Sequence, residues 1–263
     1  DAATVVLLRD GATGPEVYLL RRRSTMAFAA GMHVFPGGAV DPRDGDGGDR
    51  WVGPGPAAWA EAFGCEPDLA GALVCAAVRE TFEESGVLLA AHEDGTLVTD
   101  TTGEDWERDR LALIDGDLAL SDFLAQRSLV VRADLLRPWA HWITPEWQTR
   151  RFDTRFFLAA LPAGQRTRDV GGEADRVTWL PVMGAFEAYT SGTLTLMNVT
   201  ASILRDLSAH ADVASAMAAD RRIRPMMGRP VFIGDRLDHV YDGEHGPALV
   251  SELTAPLGGP VEP

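Results

Sequence analysis

Arg79-Glu80-Thr81-Phe82-Glu83-Glu84-Ser85-Gly86-Val87 closes the most strongly periodic stretch of this chain, Leu69–Ser85. At 100° per residue, with Glu80 at zero, Val74, Val78 and Phe82 fall near 120°, 160° and 200° and make an apolar stripe. Glu83 and Glu84 fall near 300° and 40°, flanking Glu80 on the other side. The spacing predicts a helix that buries one face and presents three carboxylates on the other, with Gly86 as its C-cap. Ala72 and Ala76 lie close to the acidic side and leave room beside it. Three glutamates on one face repel one another by a few tenths of a kcal/mol per exposed pair, and a divalent cation relieves this. Ligation by oxygen alone, without His or Cys, favours Mg²⁺ or Mn²⁺ over zinc. Glu80, Glu83 and Glu84 are therefore the candidate metal ligands.

Working outward, Val5–Arg9 and Val17–Arg22 read as a β-hairpin about a Gly-Ala-Thr-Gly-Pro turn, and Met32–Val40 as a strand that turns sharply at Pro36-Gly37-Gly38. Pro42–Pro56 reads as loop and Ala57–Phe63 as a short helix. Val87–Ala90 is expected as a buried strand, Trp106–Ile114 and Ser121–Gln126 as helices, the second with Ser121 as N-cap. Strand signals return at Trp139–Ile143, Phe152–Leu161 and Val177–Leu180. Helical patterns follow at Val182–Tyr189, Thr195–Ala209 and Val213–Ala219, and the last thirty residues read as an extended tail. Nothing in 263 residues marks a boundary, so one domain is expected.

The 24 basic residues are all arginine against 39 acids, a net charge of −15. Without lysine there is no Schiff-base chemistry and no phosphate-loop lysine. So acidic a chain is not expected to bind nucleic acid or an anionic membrane. No apolar run reaches spanning length, and DAATVVLLRD has neither a basic n-region nor a cleavage site, so a cytoplasmic protein is expected. Cys65 and Cys75 offer neither a disulfide framework nor a zinc site. Asp41–Asp49, DPRDGDGGD, lacks EF-hand spacing and reads as an acidic loop. The seven tryptophans, Trp139, Trp142 and Trp147 among them, are expected in the core, where any could also line a pocket for an adenine ring.

Residues 79–87 resemble the second half of the Nudix signature: six of seven specified positions match, Thr81 standing where an aliphatic residue is usual. Phe35-Pro36-Gly37-Gly38-Ala39-Val40-Asp41 resembles its first half, with Asp44 where the family carries glutamate. Thirty-four residues separate Asp44 from Arg79, against seven in an intact signature, so the box is split by an insertion of 27. With Ser24–Phe28, Gly31–Gly38 and Arg151-Phe152-Asp153-Thr154, the chain is similar to the peroxisomal Nudix-type 19 proteins and their bacterial relatives.

This resemblance implies an α/β Nudix fold, a mixed β-sheet sandwiched between α-helices, as a single domain over 1–263. Insertions are expected at about 45–71 inside the box and, as helices, at about 104–128. It implies a Mg²⁺- or Mn²⁺-dependent diphosphatase acting on a nucleoside diphosphate linked to another moiety, coenzyme A or an acyl-CoA first, then NADH, ADP-ribose or a nucleotide sugar. A non-catalytic nucleotide-binding module is the alternative of another class. Glu80 and Glu173 are the candidate catalytic acids, with Glu173 on the loop before the strand reaching Trp179. Arg79 is expected to orient Glu83 rather than touch substrate.

Gly37 and Gly38 bring a strand end against the helix, and with Arg22 form part of the expected binding site. Leu19–Ser24 with Gly31 and Phe35–Gly38 partly resembles a coenzyme A pattern, departing at Arg21 and Ala27. Around Asp153, strand alternation puts Arg151 and Arg155 on one face and Phe152 and Phe156 on the other, so Arg151 and Arg155 are expected to grip phosphate on the open face. The partner is a small molecule, and the oligomeric state is left open, a homodimer included.

Overall fold

The computed structural model describes residues 1–24, 29–47, 51–168, 174–234, 236–243 and 246–249. The chain opens with the expected hairpin, β1 (Ala2–Gly11) and β2 (Gly14–Arg22), whose alternating Val and Leu are buried on both faces. The tract at 33–39 then changes partner. β3 (His33–Val34) pairs with β2, and β4 (Gly37–Ala39) crosses over to pair with β1. A 3-10 turn at Pro42–Gly47 and the strand β5 (Trp51–Val52) give structure to a stretch expected as plain loop.

Two helices follow, α1 (Pro56–Phe63) and α2 (Pro67–Ser85), each with proline in its first turn and a left-handed glycine at its end, Gly64 and Gly86. Val87–Leu89 is buried as expected, but the strand β6 starts only at Ala90 (Ala90–His92). The Gln165 side chain takes the place of a neighbouring strand: Leu88 N–H donates to it at 2.8 Å, and it donates to the Leu88 and Val98 carbonyls. The next elements are α3 (Glu104–Ile114), α4 (Leu120–Gln126), β7 (Leu129–Arg132), β8 (Leu136–Ile143), β9 (Asp153–Ala160) and β10 (Ala174–Pro181). Ser121 lies inside α4; Ala119 is the N-cap and makes no side-chain cap.

Then come α5 (Val182–Thr190), α6 (Asn198–Leu207) and α7 (Val213–Met217). Two strands follow, β11 (Pro225–Met227) and β12 (Arg229–Ile233), and the described part of the expected extended tail forms two more, β13 (Arg236–Gly243) and β14 (Gly246–Leu249); residues 250–263 lie outside the described residues. Pro230 pairs opposite His239 and Pro247 opposite Asp242, on the two outer strands of the short antiparallel sheet, where proline is tolerated.

The main sheet runs β10-β2-β1-β9-β8-β11, with β1 parallel to β9 and β8 parallel to β11. Its mixed character and helices on both faces are those expected. On one face α1 and α2 join the core, Trp59 and Phe63 packing on Phe157 with ring centroids 5.4 and 5.1 Å away. On the other face α5, α6 and α7 bury Phe186, Ile203, Leu204 and Leu207. Residues 104–128 are α3 and α4, which cover the outer side of α2 through stacked Phe82 and Phe123 with Trp106. Cys65 and Cys75 are free. Among the described residues no helix is long and apolar enough to cross a membrane.

Candidate active site

The acidic side of α2 is largely covered rather than open to bulk water, with Glu84 half-buried. Glu80 and Glu83 are buried at 9 % and 8 % exposure, because β4 and the 3-10 turn pack across them. Ala72 and Ala76 are likewise buried, so the small residues are filled over rather than leaving a gap.

Arg79 is the hub of the cluster. Its Nε and Nη2 donate to the two Asp44 oxygens at 2.9 Å, Nη1 to Glu80 at 2.8 Å and Glu83 at 3.2 Å, and Nη2 to the Ala39 carbonyl at 3.0 Å. The bidentate pair with buried Asp44 rejoins the two halves of the sequence motif across its insertion. Gly37 N–H donates to Glu84 Oε2 at 2.8 Å and makes the same connection a turn further along. A β-carbon at Gly38 would collide with the Glu80 carboxylate, so glycine there lets the strand lie directly on the acid.

Burial pushes Glu80 up to about 7, with Arg79 opposing the trend and Glu83 adding to it. Glu83 is raised for the same reason. Burial works against the Arg79 charge, but its bonds to Asp44 and the neighbouring glutamates raise its proton affinity overall. The helix end is held from outside the motif. Fully buried Arg110, from α3, donates to the Glu83 carbonyl at 2.6 Å and to both Glu107 oxygens, and Arg168 N–H donates to the Ser85 carbonyl.

The carboxylates open onto a cavity of about 1120 Å³. Arg22, Gly37, Gly38, Arg79, Glu80, Glu83 and Glu84 line it, so the structure brings these predicted residues together. Arg151 and Arg155 do not join them, which corrects the expectation. Arg155 is 5 % exposed and bound at 2.7 Å to Asp1 and to Asp153, and Arg151 Nε is spent on the Thr144 carbonyl. The alternation along β9 is as expected, but the other face is the open one: Phe152, Thr154 and Phe156 line the cavity. The arginine that reaches it is Arg150, its guanidinium 5.1 Å over the Phe152 ring.

Glu173 lies outside the described residues. Tyr241 and Arg110 were not singled out by sequence reasoning, whereas Trp142 was named among the tryptophans able to line a pocket, and it lines this cavity. Trp142 and Tyr241 line the cavity from segments 99 residues apart in the chain, with no shared motif to join them.

A divalent cation fits the donor chemistry: three carboxylates within two turns of one helix, facing one cavity and short of water. They do not yet converge. Glu80 and Glu83 lean on Arg79 and Glu84 on Gly37, and among the described residues no three ligating side chains form a ready metal cage.

Comparison with known proteins places this geometry in context. The NUDT19 Nudix domain model matches residues 61–199. The acyl-coenzyme A diphosphatase NUDT19 of Xenopus laevis is 27 % identical over 212 residues, covering 67 % of this chain and 55 % of its own length. The Homo sapiens protein of that name is 32 % identical over 186 residues, covering 57 % of this chain and 49 % of its own length. The chain spans about half the length of the curated relatives it matches. The crystal structure of a NUDIX hydrolase from Alicyclobacillus acidocaldarius is similar with a TM-score of 0.74 and 34 % identity, over 84 % of this chain and 96 % of that one.

Proposed function

This chain belongs to the NUDT19 Nudix domain family of Nudix hydrolases, and on that premise we propose that it hydrolyses the pyrophosphate bond of coenzyme A or an acyl-CoA with Mg²⁺ or Mn²⁺. The observation that carries the reading is the buried carboxylate cluster opening onto a cavity large enough for an extended nucleotide derivative. Similarity to proteins named acyl-coenzyme A diphosphatases supports the choice among diphosphates. NADH, ADP-ribose and nucleotide sugars are the rivals.

Glu80, Glu83 and Glu84 would hold the cation. When bound, it screens the charge of the pyrophosphate and makes a bound water easier to deprotonate. Arg79 fixes Glu80 and Glu83 in place and leaves the substrate alone, since all its donors are already committed. With no lysine in the chain, Arg22 and Arg150 on the cavity wall are the cations proposed to bind the substrate's phosphates. The proton of the attacking water is assigned to Glu80 or to Glu173. Burial moves the titration of Glu80 to about 7, and Glu173 directly precedes Ala174, the first residue of β10, in sequence.

The test is turnover of coenzyme A with Mg²⁺ or Mn²⁺, products identified by mass, for the wild type and Glu84→Gln. The expected result is release of 4′-phosphopantetheine and a loss of about 10²-fold or more in the variant. Unchanged turnover in Glu84→Gln would remove that residue from the metal site. A wild type that binds nucleotides yet cleaves none would be a binding module.

A further inference from the structure

The cavity floor is a straight row across the main sheet. Ala39 on β4 pairs with Ala2 on β1, Ala2 with Thr154 on β9, and Thr154 with Trp142 on β8, and all four residues line the cavity. Three strand spacings of roughly 4.8 Å set Trp142 about 14 Å from Ala39, the neighbour of the Gly38 that rests on Glu80. At that far end Trp142 meets Tyr241, ring centroids 4.7 Å apart and tilted by 55°. Both rings are 8 % exposed. Tyr241 comes from β13, outside the residues matched by the family model. Its place depends on Gly228, where a β-carbon would lie 2.7 Å from the phenol ring.

The geometry points to Trp142 and Tyr241 as the subsite for the acyl chain of an acyl-CoA, with Tyr241 a specificity-determining residue supplied by the C-terminal strands. This rests on the substrate class proposed above. In coenzyme A the arm between diphosphate and sulfur contains two amide units and spans roughly 15 Å when extended, by peptide-like spacing. With the diphosphate at Glu80, Glu83 and Glu84, the thioester therefore arrives at the aromatic pair. A base joined to the diphosphate by a single ribose stops short of it. Between the two ends the floor offers Thr154 and Phe156, and no charged residue lies on the row itself. An apolar chain leaving the sulfur thus meets rings that are already desolvated.

The experiment compares kcat/KM for octanoyl-CoA and for free coenzyme A with Mg²⁺ in the full chain, for wild type, Tyr241→Ala and Gly228→Ala, with a thermal melt of each. Gly228→Ala displaces the ring without deleting it, so it speaks even where Tyr241→Ala fails to fold. The octanoyl-to-free ratio is expected to fall by about tenfold in each folded variant, the effect of losing part of a hydrophobic pocket. A ratio within about twofold of wild type in the folded variants overturns the subsite. A wild type that cleaves another diphosphate but neither coenzyme A ester nor coenzyme A overturns the substrate class, and the subsite with it.

Discussion

Replacing Glu80 with Gln removes a charge that folding takes out of water. The side chain is 11 % exposed, and burial moves its titration from 4.5 to about 7, the 2.8 Å bond to Arg79 notwithstanding. That interval, at about 1.4 kcal/mol for each pH unit, amounts to about 3 kcal/mol. Because the folded protein holds this proton more tightly than the unfolded chain, the stabilisation it contributes is complete below pH about 4.5 and is lost as the pH rises through about 7.

In EDTA at pH 8.5, Glu80→Gln should therefore melt above wild type, by about 6–12 °C for a chain of this size. At pH 5 the difference should shrink to under about 1 kcal/mol. Calorimetry of both proteins across that range checks it. Equal melting at pH 8.5, or a more stable wild type, would refute the view that burial of the Glu80 carboxylate outweighs its pairing with Arg79. The same variant should lose most of its turnover, stability and activity moving in opposite directions.

Gly38→Ala pushes a β-carbon into the Glu80 carboxylate and displaces it by a sizeable fraction of an ångström; kcat should fall about 10²-fold with an unchanged circular dichroism spectrum. Arg110→Met leaves the buried Glu83 carbonyl without its donor and should cost about 1–3 kcal/mol in urea denaturation. The partly exposed Glu107 adds little to that figure.

The acidic helix was legible in the sequence because its apolar stripe, its three glutamates and its glycine cap all fall on one period, and α2 ends at Ser85 as expected. The hairpin was legible for the same reason in period two. Arg151 and Arg155 show where such reasoning stops. Alternation says which residues share a face; only the packing of α1 over Phe157 says which face is closed. The helix itself carries the same lesson, since its acidic side is covered by a strand that the periodicity of α2 cannot report. Gln165 posing as a strand neighbour to Leu88, and Tyr241 reaching Trp142 from a hundred residues away, are pairings between segments with no common pattern.

The Asp44–Arg79 clamp has a consequence for how this chain tolerates change in length. It closes the base of a 34-residue excursion in which Trp59, Phe63 and Ala72–Val78 are sunk in the core, while Val52–Pro54 is exposed. Loop-closure entropy grows only logarithmically, by about 0.6 kcal/mol per doubling, so residues added to that outer arc strain the clamp very little. Growth is cheap there and costly within α1, where an added residue turns Trp59 or Phe63 away from Phe157. The signature can thus be interrupted in sequence while its two ends stay in register, and the outer arc is the place to graft a tag or a new recognition loop.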